Sequence, residues 1–463
     1  MRPYRHLATK LCAGSHGASI VVCRHNANRG AIPRHGSDLR PRVCMSSLVA
    51  VNTSRRLHTE SIHSNKGSLS HFEIRTDGTH PAIFSSPSQG NSAALEAIPP
   101  IWLRDNCQCS SCVHQDTKQR NFDTFELPPN LSFQKVEEAQ NGYQVQWSDG
   151  HESFYEKDWL ARAGLKETSA IQQGRAPNPV LWNTDYLAKE GAPSVQYDAV
   201  MDPTSEEGVR EWVTAIRNFG FCYVEGAPVD PGKTQELLER IAFIRETHYG
   251  GFYDFTADLA SKDTAYTSIA LPAHNDNTYF SDPSGLQMFH LLSHTEGEGG
   301  ASLLVDGFSA AKELKETDPE AYKILSEVPV QFHASGNEGI SIQPYQAFPV
   351  FLLDPVDKEL IQVRWNESDR AALQIHPAGS QKWYNAAKKF DTLLKSAKYE
   401  YWEQLKPGRP LIFDNWRIMH GRSAFTGKRR ICGGYITRDD YISRFKMLYY
   451  GPEHVLKNIH VGA

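Results

Sequence analysis

No stretch of this 463-residue chain approaches the roughly 18 consecutive apolar positions of a membrane helix, and apolar runs such as Leu303-Leu304-Val305 and Val350-Phe-Leu-Leu353 are strand-sized. A membrane span is therefore not expected. The chain also lacks a Gly-x-Gly-x-x-Gly fingerprint, a phosphate-binding loop and any internal repeat, which removes motif-borne dinucleotide and nucleotide chemistry and repeat architectures. Cysteine is sparse. Eight residues in a chain this long do not form a disulfide framework; three cluster at positions 107, 109 and 112, and Cys222 and Cys432 fall in apolar, strand-like runs, so a reducing compartment is expected.

Acid is nearly absent from the first 60 residues, where nine Arg and one Lys face only Asp38 and Glu60. The remainder then holds 39 basic and 52 acidic residues, a net of −13 that the overall −5 conceals. An Arg-, Ser- and His-rich, acid-poor start has the composition of a mitochondrial transit peptide, with Arg55-Arg56-Leu57-His58 as the processing neighbourhood. That places the mature chain in the mitochondrial matrix. The alternative is a basic tail that binds nucleic acid, but the body is acidic and has no second basic patch, so no nucleic-acid partner is expected.

What remains, at 40% hydrophobic and 22% charged residues, suits a soluble enzyme of two or three domains. Residues 1–60 are read as the transit peptide and 66–165 as a small β domain. Its extended segments are Phe72–Arg75, Ile101–Leu103, Tyr143–Trp147 and Ser153–Tyr155, the last two joined by the hairpin turn Ser148-Asp149-Gly150. Within it Cys107, Cys109 and Cys112 form a Cys-x-Cys-x-x-Cys cluster, three thiolates able to wrap one tetrahedral Zn²⁺. His151, presented by the hairpin, is the first candidate for the fourth ligand and His114 the second. Four protein ligands would make a closed, structural site.

Residues 166–196, rich in Pro and Gly and aperiodic, are read as a connector, and 197–463 as the second domain. It opens with a helix over 205–219, a strand over 220–225 and a helix over 231–244; Val209, Trp212, Val213 and Ile216 share one face of the first. From Leu286 onward short apolar strands follow at 286–292, 302–305, 328–332, 348–353, 360–365, 410–413 and 431–436, interrupted by helical inserts over 310–326 and 380–405. The expected fold is mainly β with flanking helices: a double-stranded β-helix, or jelly roll, behind a small N-terminal zinc-binding β domain.

The chemistry centres on Leu271-Pro-Ala-His-Asn-Asp-Asn-Thr-Tyr-Phe280. On an extended segment His274 and Asp276 point to the same side, with Asn275 directed away as the least constrained of the three. His420, 144 positions beyond Asp276 and expected to leave a strand before a Gly turn, would complete a 2-His-1-carboxylate triad, which leaves a face of Fe(II) open to a co-substrate and dioxygen. Arg429 opens the next strand, where a guanidinium could grip a dicarboxylate co-substrate through paired, charge-assisted bonds. A zinc hydrolase using the same three ligands and a non-catalytic metal-binding module are the alternatives from other classes.

Further motifs accompany these: Ile244-Arg-Glu-Thr-His-Tyr-Gly250, Asp263-Thr-Ala-Tyr266, Leu304-Val-Asp-Gly-Phe308, Lys406-Pro-Gly-Arg409, Asp414-Asn-Trp-Arg-Ile-Met-His-Gly-Arg422 and Thr437-Arg-Asp-Asp440. Through them the chain, from the Cys cluster to the C-terminus, resembles the γ-butyrobetaine and trimethyllysine dioxygenases of carnitine biosynthesis, a family of Fe(II)/2-oxoglutarate oxygenases. The resemblance implies His274, Asp276 and His420 as iron ligands, Arg429 with Ser302 as the 2-oxoglutarate contacts, and Cys107, Cys109, Cys112 and His151 as zinc ligands. It also implies Tyr249, Tyr253, Tyr266 and Tyr435 as an aromatic cage for a trimethylammonium group, which has no N–H to donate and is held by cation–π attraction. Position 253 is commonly Trp in the family. Asp263 and Asn366 would meet the polar end of the substrate, and a carboxylate at 263 suits an α-ammonium group. The implied reaction is hydroxylation of N6,N6,N6-trimethyllysine at C3, with γ-butyrobetaine hydroxylation as the alternative. Partners would be O₂, 2-oxoglutarate, ascorbate as reductant and a small-molecule substrate, with a homodimer compatible with the sequence.

Overall fold

The computed structural model describes residues 72–76, 81–85, 96–162, 170–256 and 267–458. The expected transit peptide, and with it Arg55 to His58, lies outside them. Among the described residues there are eighteen strands, β1 to β18 in chain order. In the N-terminal region β1 (Phe72–Thr76), β2 (Pro81–Ser85) and β3 (Glu96–Ala97) form one antiparallel sheet, and β4 (Phe133–Ala139), β5 (Gly142–Trp147) and β6 (Glu152–Glu156) a second. Alternation decides which side chains turn inward. Tyr143, Val145 and Trp147 of β5 are buried with Phe133, Tyr155, Trp159 and Leu103 around them.

Residues 101–103, expected as a strand, lie instead in a helix, Pro100–Asp105, because Pro100 at its first turn fixes φ where no N–H is needed. The helix delivers the chain into the Cys cluster. The turn between β5 and β6 behaves as expected: Gly150 takes φ +83°, Trp147 N–H donates to His151 O at 2.9 Å, and His151 follows at the tip.

The second region is built on two sheets. The larger comprises β7 (Ser194–Gln196), β8 (Phe221–Glu225), β16 (Leu411–Asp414), β11 (Leu286–Thr295), β18 (Lys428–Ile436) and β9 (Tyr253–Thr256), in that order. The smaller runs β10 (Leu271–His274), β17 (Ile418–Arg422), β12 (Ser302–Asp306), β15 (Tyr401–Glu403). Phe221, Tyr223, Leu291, Phe413 and Ile431 of the larger sheet share one apolar cluster with Leu304 and Ile418 of the smaller, so the sheets face each other across a common core. This is the jelly roll expected from the sequence. A hairpin of β13 (Phe351–Leu353) and β14 (Leu360–Val363) and helices spanning Gly307–Thr317, Pro319–Glu327 and Ser380–Leu394 cover the outside of the smaller sheet.

Several expectations are corrected in detail. The segment 166–196, read as aperiodic connector, holds a helix (Thr184–Glu190) capped by Asn183, whose side chain accepts from Tyr186 N–H at 2.9 Å, and β7, which pairs parallel with β8. Both are too short to show periodicity. The insert 310–326 is two helices because Pro319 ends the first and Asp318 caps the second. The helix expected over 231–244 stops at Glu239, and the one over 380–405 stops at Leu394, with β15 beyond it. The strand expected at 328–332 survives only as isolated bridges, Val330 to Phe348 and Phe332 to Arg370.

His290, fully buried in β11, ties the larger sheet to its surroundings. The Gly408 N–H donates to Nε2 at 3.1 Å, so the proton sits on Nδ1, which lies 2.7 Å from the Thr234 hydroxyl; that hydroxyl donates onward to Asp230 O. Burial pushes this imidazole down to about 4. A histidine that the fold keeps neutral contributes stability that is fully present above its unfolded pKa, near 6.5, and is lost as pH falls toward 4. Acid titration of unfolding should therefore show a loss of stability over that window that is shallower in His290→Gln.

Candidate active site

The cross-strand register of β10 and β17 sets His274 directly opposite His420. Their rings lie 4.3 Å apart between centroids. Gly421 is required for this approach: it lies within β17, not in a turn as expected, and a Cβ there would stand 2.5 Å from Leu271 O. Strand β10 ends at His274, and the chain turns at Asn277, which takes φ +59°, a conformation Asn tolerates better than most residues. Asp276 is thus held at a bend and not on a continuing strand. Its Oδ1 lies 3.3 Å from His274 Nε2 and 3.8 Å from His420 Nε2. One ligand atom from each of the three lies within 4.8 Å of the others, a donor set of two imidazole nitrogens and one carboxylate oxygen that fits iron in the facial arrangement.

The triad is supported by Gln287 and Asn415, which the sequence did not single out as site residues, and by Tyr435, which it expected only in the aromatic cage. Gln287 Nε2 donates to Asp276 Oδ2 at 2.7 Å and the Tyr435 hydroxyl donates to the same oxygen at 2.8 Å, so Oδ1 alone is left toward the histidines. Asn415 clamps the Asp276 backbone, accepting from its N–H at 2.9 Å and donating to its carbonyl at 2.8 Å. Asn275 does point away from the two ligands, but it is far from unconstrained. It is buried, its amide donates to Asn415 O and Ile418 O, and its Oδ1 accepts from Trp365 N–H at 3.2 Å.

Burial pushes the His420 imidazole down to about 3, with His274 beside it acting the same way, so it is neutral and ready to be a ligand. Burial also acts against charge on His274 and Asp276, but there the pairing wins: hydrogen bonding to Asp276 raises His274, and the two histidines with the Tyr435 donor hold Asp276 well below the usual carboxylate range. Burial and the Asp276 charge keep Tyr435 protonated far above its ordinary value, as a donor must be. Tyr435→Phe removes one of two donors to the ligand carboxylate, and Fe(II) titration should show affinity weakened about 10- to 100-fold.

Asp276, His274 and His420 open into a cavity also lined by Ser302, Arg422, Arg429, Tyr249, Tyr253 and Tyr435. At one end Arg429 and Arg422 are both buried, and burial with the neighbouring Arg422 charge pushes Arg429 down to about 10, still protonated near neutral pH. The buried Nε of Arg429 has no hydrogen-bond partner among the described residues, which leaves a donor for an incoming carboxylate. Ser302 stands opposite Arg422 in register on β12. Alternation along β18 puts Arg429 and Tyr435 on the same face of the strand, roughly 20 Å apart along it at ~3.3 Å per residue, so cationic and aromatic ends are separated by the strand itself.

At the far end Tyr253 packs edge-on to Tyr435, 5.8 Å between centroids, with its hydroxyl donating to Met288 O at 2.7 Å; Tyr249 approaches Tyr279, 3.5 Å between hydroxyls. Tyr279, Phe255 and Asp369 also line the cavity and were missed, although Tyr279 lies only three residues after Asp276. Asn366 lines it too, with its amide turned to Asp369. Asp263 and Tyr266 lie outside the described residues.

In the N-terminal region His151 Nε2 lies 3.4 Å from Cys107 Sγ, 3.6 Å from Cys109 Sγ and 3.4 Å from Cys112 Sγ. Tetrahedral zinc with Zn–S of ~2.3 Å and Zn–N of ~2.0 Å requires about 3.5 Å between those atoms, so the cluster has the dimensions of such a site. Around it Arg104 donates to Cys112 Sγ at 3.2 Å and to Asp149 at 3.0 Å, and the Ser153 hydroxyl donates to Cys107 Sγ at 3.1 Å. His114 is exposed, accepts from its own turn and takes no part.

Residues 183–435 match the taurine catabolism dioxygenase TauD, TfdA family, and residues 90–161 match the N-terminal domain of γ-butyrobetaine hydroxylase-like proteins. A trimethyllysine dioxygenase of Neurospora crassa is 46% identical over 90% of this chain and 93% of its own length. The mitochondrial trimethyllysine dioxygenase of Homo sapiens is 37% identical over 75% of this chain and 82% of its own. A γ-butyrobetaine dioxygenase of Pseudomonas is 32% identical over 75% and 89%. The jelly roll, the cluster of two histidines and one carboxylate and these matches together make the chain an Fe(II)/2-oxoglutarate oxygenase of the TauD/TfdA family, belonging within it to the trimethyllysine dioxygenases.

Proposed function

We propose that the protein hydroxylates N6,N6,N6-trimethyllysine at C3, with 2-oxoglutarate and O₂ consumed and succinate and CO₂ released, the first step of carnitine biosynthesis. The observation that carries the reading is one cavity with the His274, Asp276, His420 donor set between a buried arginine pair and a tyrosine-rich wall. Iron held by these three residues would supply the dioxygen chemistry, coupled to oxidative decarboxylation of the co-substrate, and ascorbate would keep it reduced. The protein supplies orientation. Arg429, with Ser302 lining the same cavity, would take the far carboxylate of 2-oxoglutarate, while Tyr249, Tyr253, Tyr435 and Tyr279 would offer ring faces to a quaternary ammonium that cannot donate a hydrogen bond. Gln287 and Tyr435 engage Asp276 Oδ2, so the carboxylate would offer a metal its Oδ1 alone. Fixing both ends of the substrate decides which C–H bond meets the oxidant.

Succinate release with trimethyllysine and with γ-butyrobetaine tests the assignment. A preference for trimethyllysine supports it, and a preference for γ-butyrobetaine overturns it in favour of the shorter substrate.

The Cys107, Cys109, Cys112, His151 site would hold structural zinc, a reading supported by its tetrahedral spacing. Metal analysis should find about one zinc per chain beside iron, and chelation of it should lower the melting temperature, since a site absent from the unfolded chain returns its binding energy to folding. The absence of zinc would remove that role. An Arg-rich, acid-poor N-terminus and the mitochondrial label of the vertebrate relatives support a location in the mitochondrial matrix.

A further inference from the structure

We propose that a second cavity, separate from the active site, binds an organic phosphate, a phosphate monoester whose other end is apolar or aromatic. It measures about 970 Å³, within the roughly 300–1,000 Å³ typical of small-molecule sites, and shares no lining residue with the active-site cavity. Its wall is cationic. Seven basic and four acidic residues line it, and counting the buried Asp306 and Asp414 behind the wall still leaves seven against six. The chain beyond residue 60 carries −13, so a positive hollow runs against its composition. Of the four acidic residues, Asp354 and Asp357 face Arg175, and Glu359 is exposed, as is Asp439.

The surplus arises at Asp414. Two guanidiniums converge on this one carboxylate, whose side chain is 2% exposed. Arg438, at the start of the helix Arg438–Tyr449, donates from Nη1 to both of its oxygens at 2.7 Å, and Trp416 N–H donates to Oδ1 at 3.0 Å. Arg217, on the helix Glu207–Phe219, comes no nearer to it than 3.5 Å, and its hydrogen bond among the described residues runs from Nε to Gly174 O at 2.6 Å. Arg217 is thus a largely buried cation with no carboxylate of its own; burial and the neighbouring Arg438 push it down to about 10, still charged near neutral pH. Arg417 is committed, since Asp306 accepts from its Nε at 3.1 Å and its Nη2 at 2.7 Å. Nη2 of Arg217 and Nη2 of Arg438, in contrast, donate to nothing among the described residues, and neither atom is buried.

Guanidinium is a donor only, so a surplus of positive charge with unused N–H groups matches an anion. Two forks meeting at one place can serve three oxygens, which a phosphate has and a carboxylate lacks. The remaining wall calls for an organic group. Trp416 and Phe308, both half-buried, line the cavity with Leu360, Ile361 and Ile442, and Arg438 lies over the Trp416 ring at 4.8 Å. Lys312 and Lys315, exposed on the helix Gly307–Thr317, add attraction at longer range.

Isothermal titration of phenyl phosphate into the full chain, loaded anaerobically with iron and saturated with 2-oxoglutarate, tests this. One equivalent should bind, about 10-fold tighter than inorganic phosphate through burial of the ring, and tighter than benzoate, which brings one charge and two oxygens. Arg217→Gln should weaken it about 10- to 100-fold, the loss of one charge-assisted hydrogen bond. Should that variant not fold, Lys312→Glu combined with Lys315→Glu, on an exposed helix face, should weaken binding several-fold and flatten its dependence on salt. Arg429→Met should leave the affinity unchanged. No binding of phenyl phosphate, equal or tighter binding of inorganic phosphate or benzoate, or a loss in Arg429→Met with none in the cavity variants overturns the assignment.

Discussion

Replacing Asp276 by Ala is expected to reduce succinate formation by at least about a thousandfold, because several kcal/mol of metal-supplied stabilisation go with the lost ligand. The change removes the only anionic member of the donor set and the carboxylate that pairs with His274. Gln287 and Tyr435 would then donate to nothing in that place. Fe(II) titration should show the affinity lost, while far-UV circular dichroism stays that of wild type, since the residue follows β10 and lines the cavity. Retained iron binding with retained turnover would remove the triad from the chemistry.

Arg429→Met is expected to act on the co-substrate alone. Truncating one partner of a buried charge pair costs about 2–5 kcal/mol, which corresponds to a rise in KM for 2-oxoglutarate of roughly 30- to 4000-fold, and the nearby Arg422 favours the lower part of that range. Iron affinity should be unaffected, because Arg429 and the ligands are separate. Arg429→Lys keeps a charge but not the planar fork, and should recover part of the loss. Titration of turnover with 2-oxoglutarate at fixed trimethyllysine checks both variants; a change in KM for trimethyllysine alone would place Arg429 at the wrong end of the cavity.

The two clusters of metal-binding type were legible in the sequence because chemistry restricts the identities and spacing of such residues. His274 and Asp276 share a tripeptide, and His420 falls in an apolar strand; Cys107, Cys109 and Cys112 sit within six residues, with His151 beside a recognisable turn. The jelly roll was legible for the same reason, as strand-sized apolar runs divided by turns. What surrounds the ligands was not. Gln287, Asn415 and Tyr279 are ordinary residue types that reach the site only through register: β11 lies against β16 and β18, which brings Gln287 opposite Phe413 and Tyr435 and so to the Asp276 carboxylate. No local pattern announces such a contact.

Asn275 shows the opposite error. The alternation rule correctly turned it away from His274 and Asp276, but the inference that it is therefore free overlooked that the other side of the segment just after β10 is also interior, where Asn415, Ile418 and Trp365 take up its amide. The helix over Thr184–Glu190 was hidden by its length, seven residues giving two turns of periodicity inside a Pro- and Gly-rich stretch. The Asn183 cap was the available signal.

The role proposed for His274, Asp276 and His420 is to hold iron for the 2-oxoglutarate-driven oxidation of trimethyllysine. Its most direct measurement is turnover of trimethyllysine under ¹⁸O₂ with Fe(II) and 2-oxoglutarate, followed by mass and NMR analysis of the product. Expected are one succinate per product, one ¹⁸O incorporated into the product, the hydroxyl at C3, and no product when Fe(II), 2-oxoglutarate or O₂ is withheld. Product formed without O₂ or 2-oxoglutarate would contradict it and return the three residues to a hydrolytic metal site, and iron-independent silence toward every betaine would leave them a binding site without this chemistry.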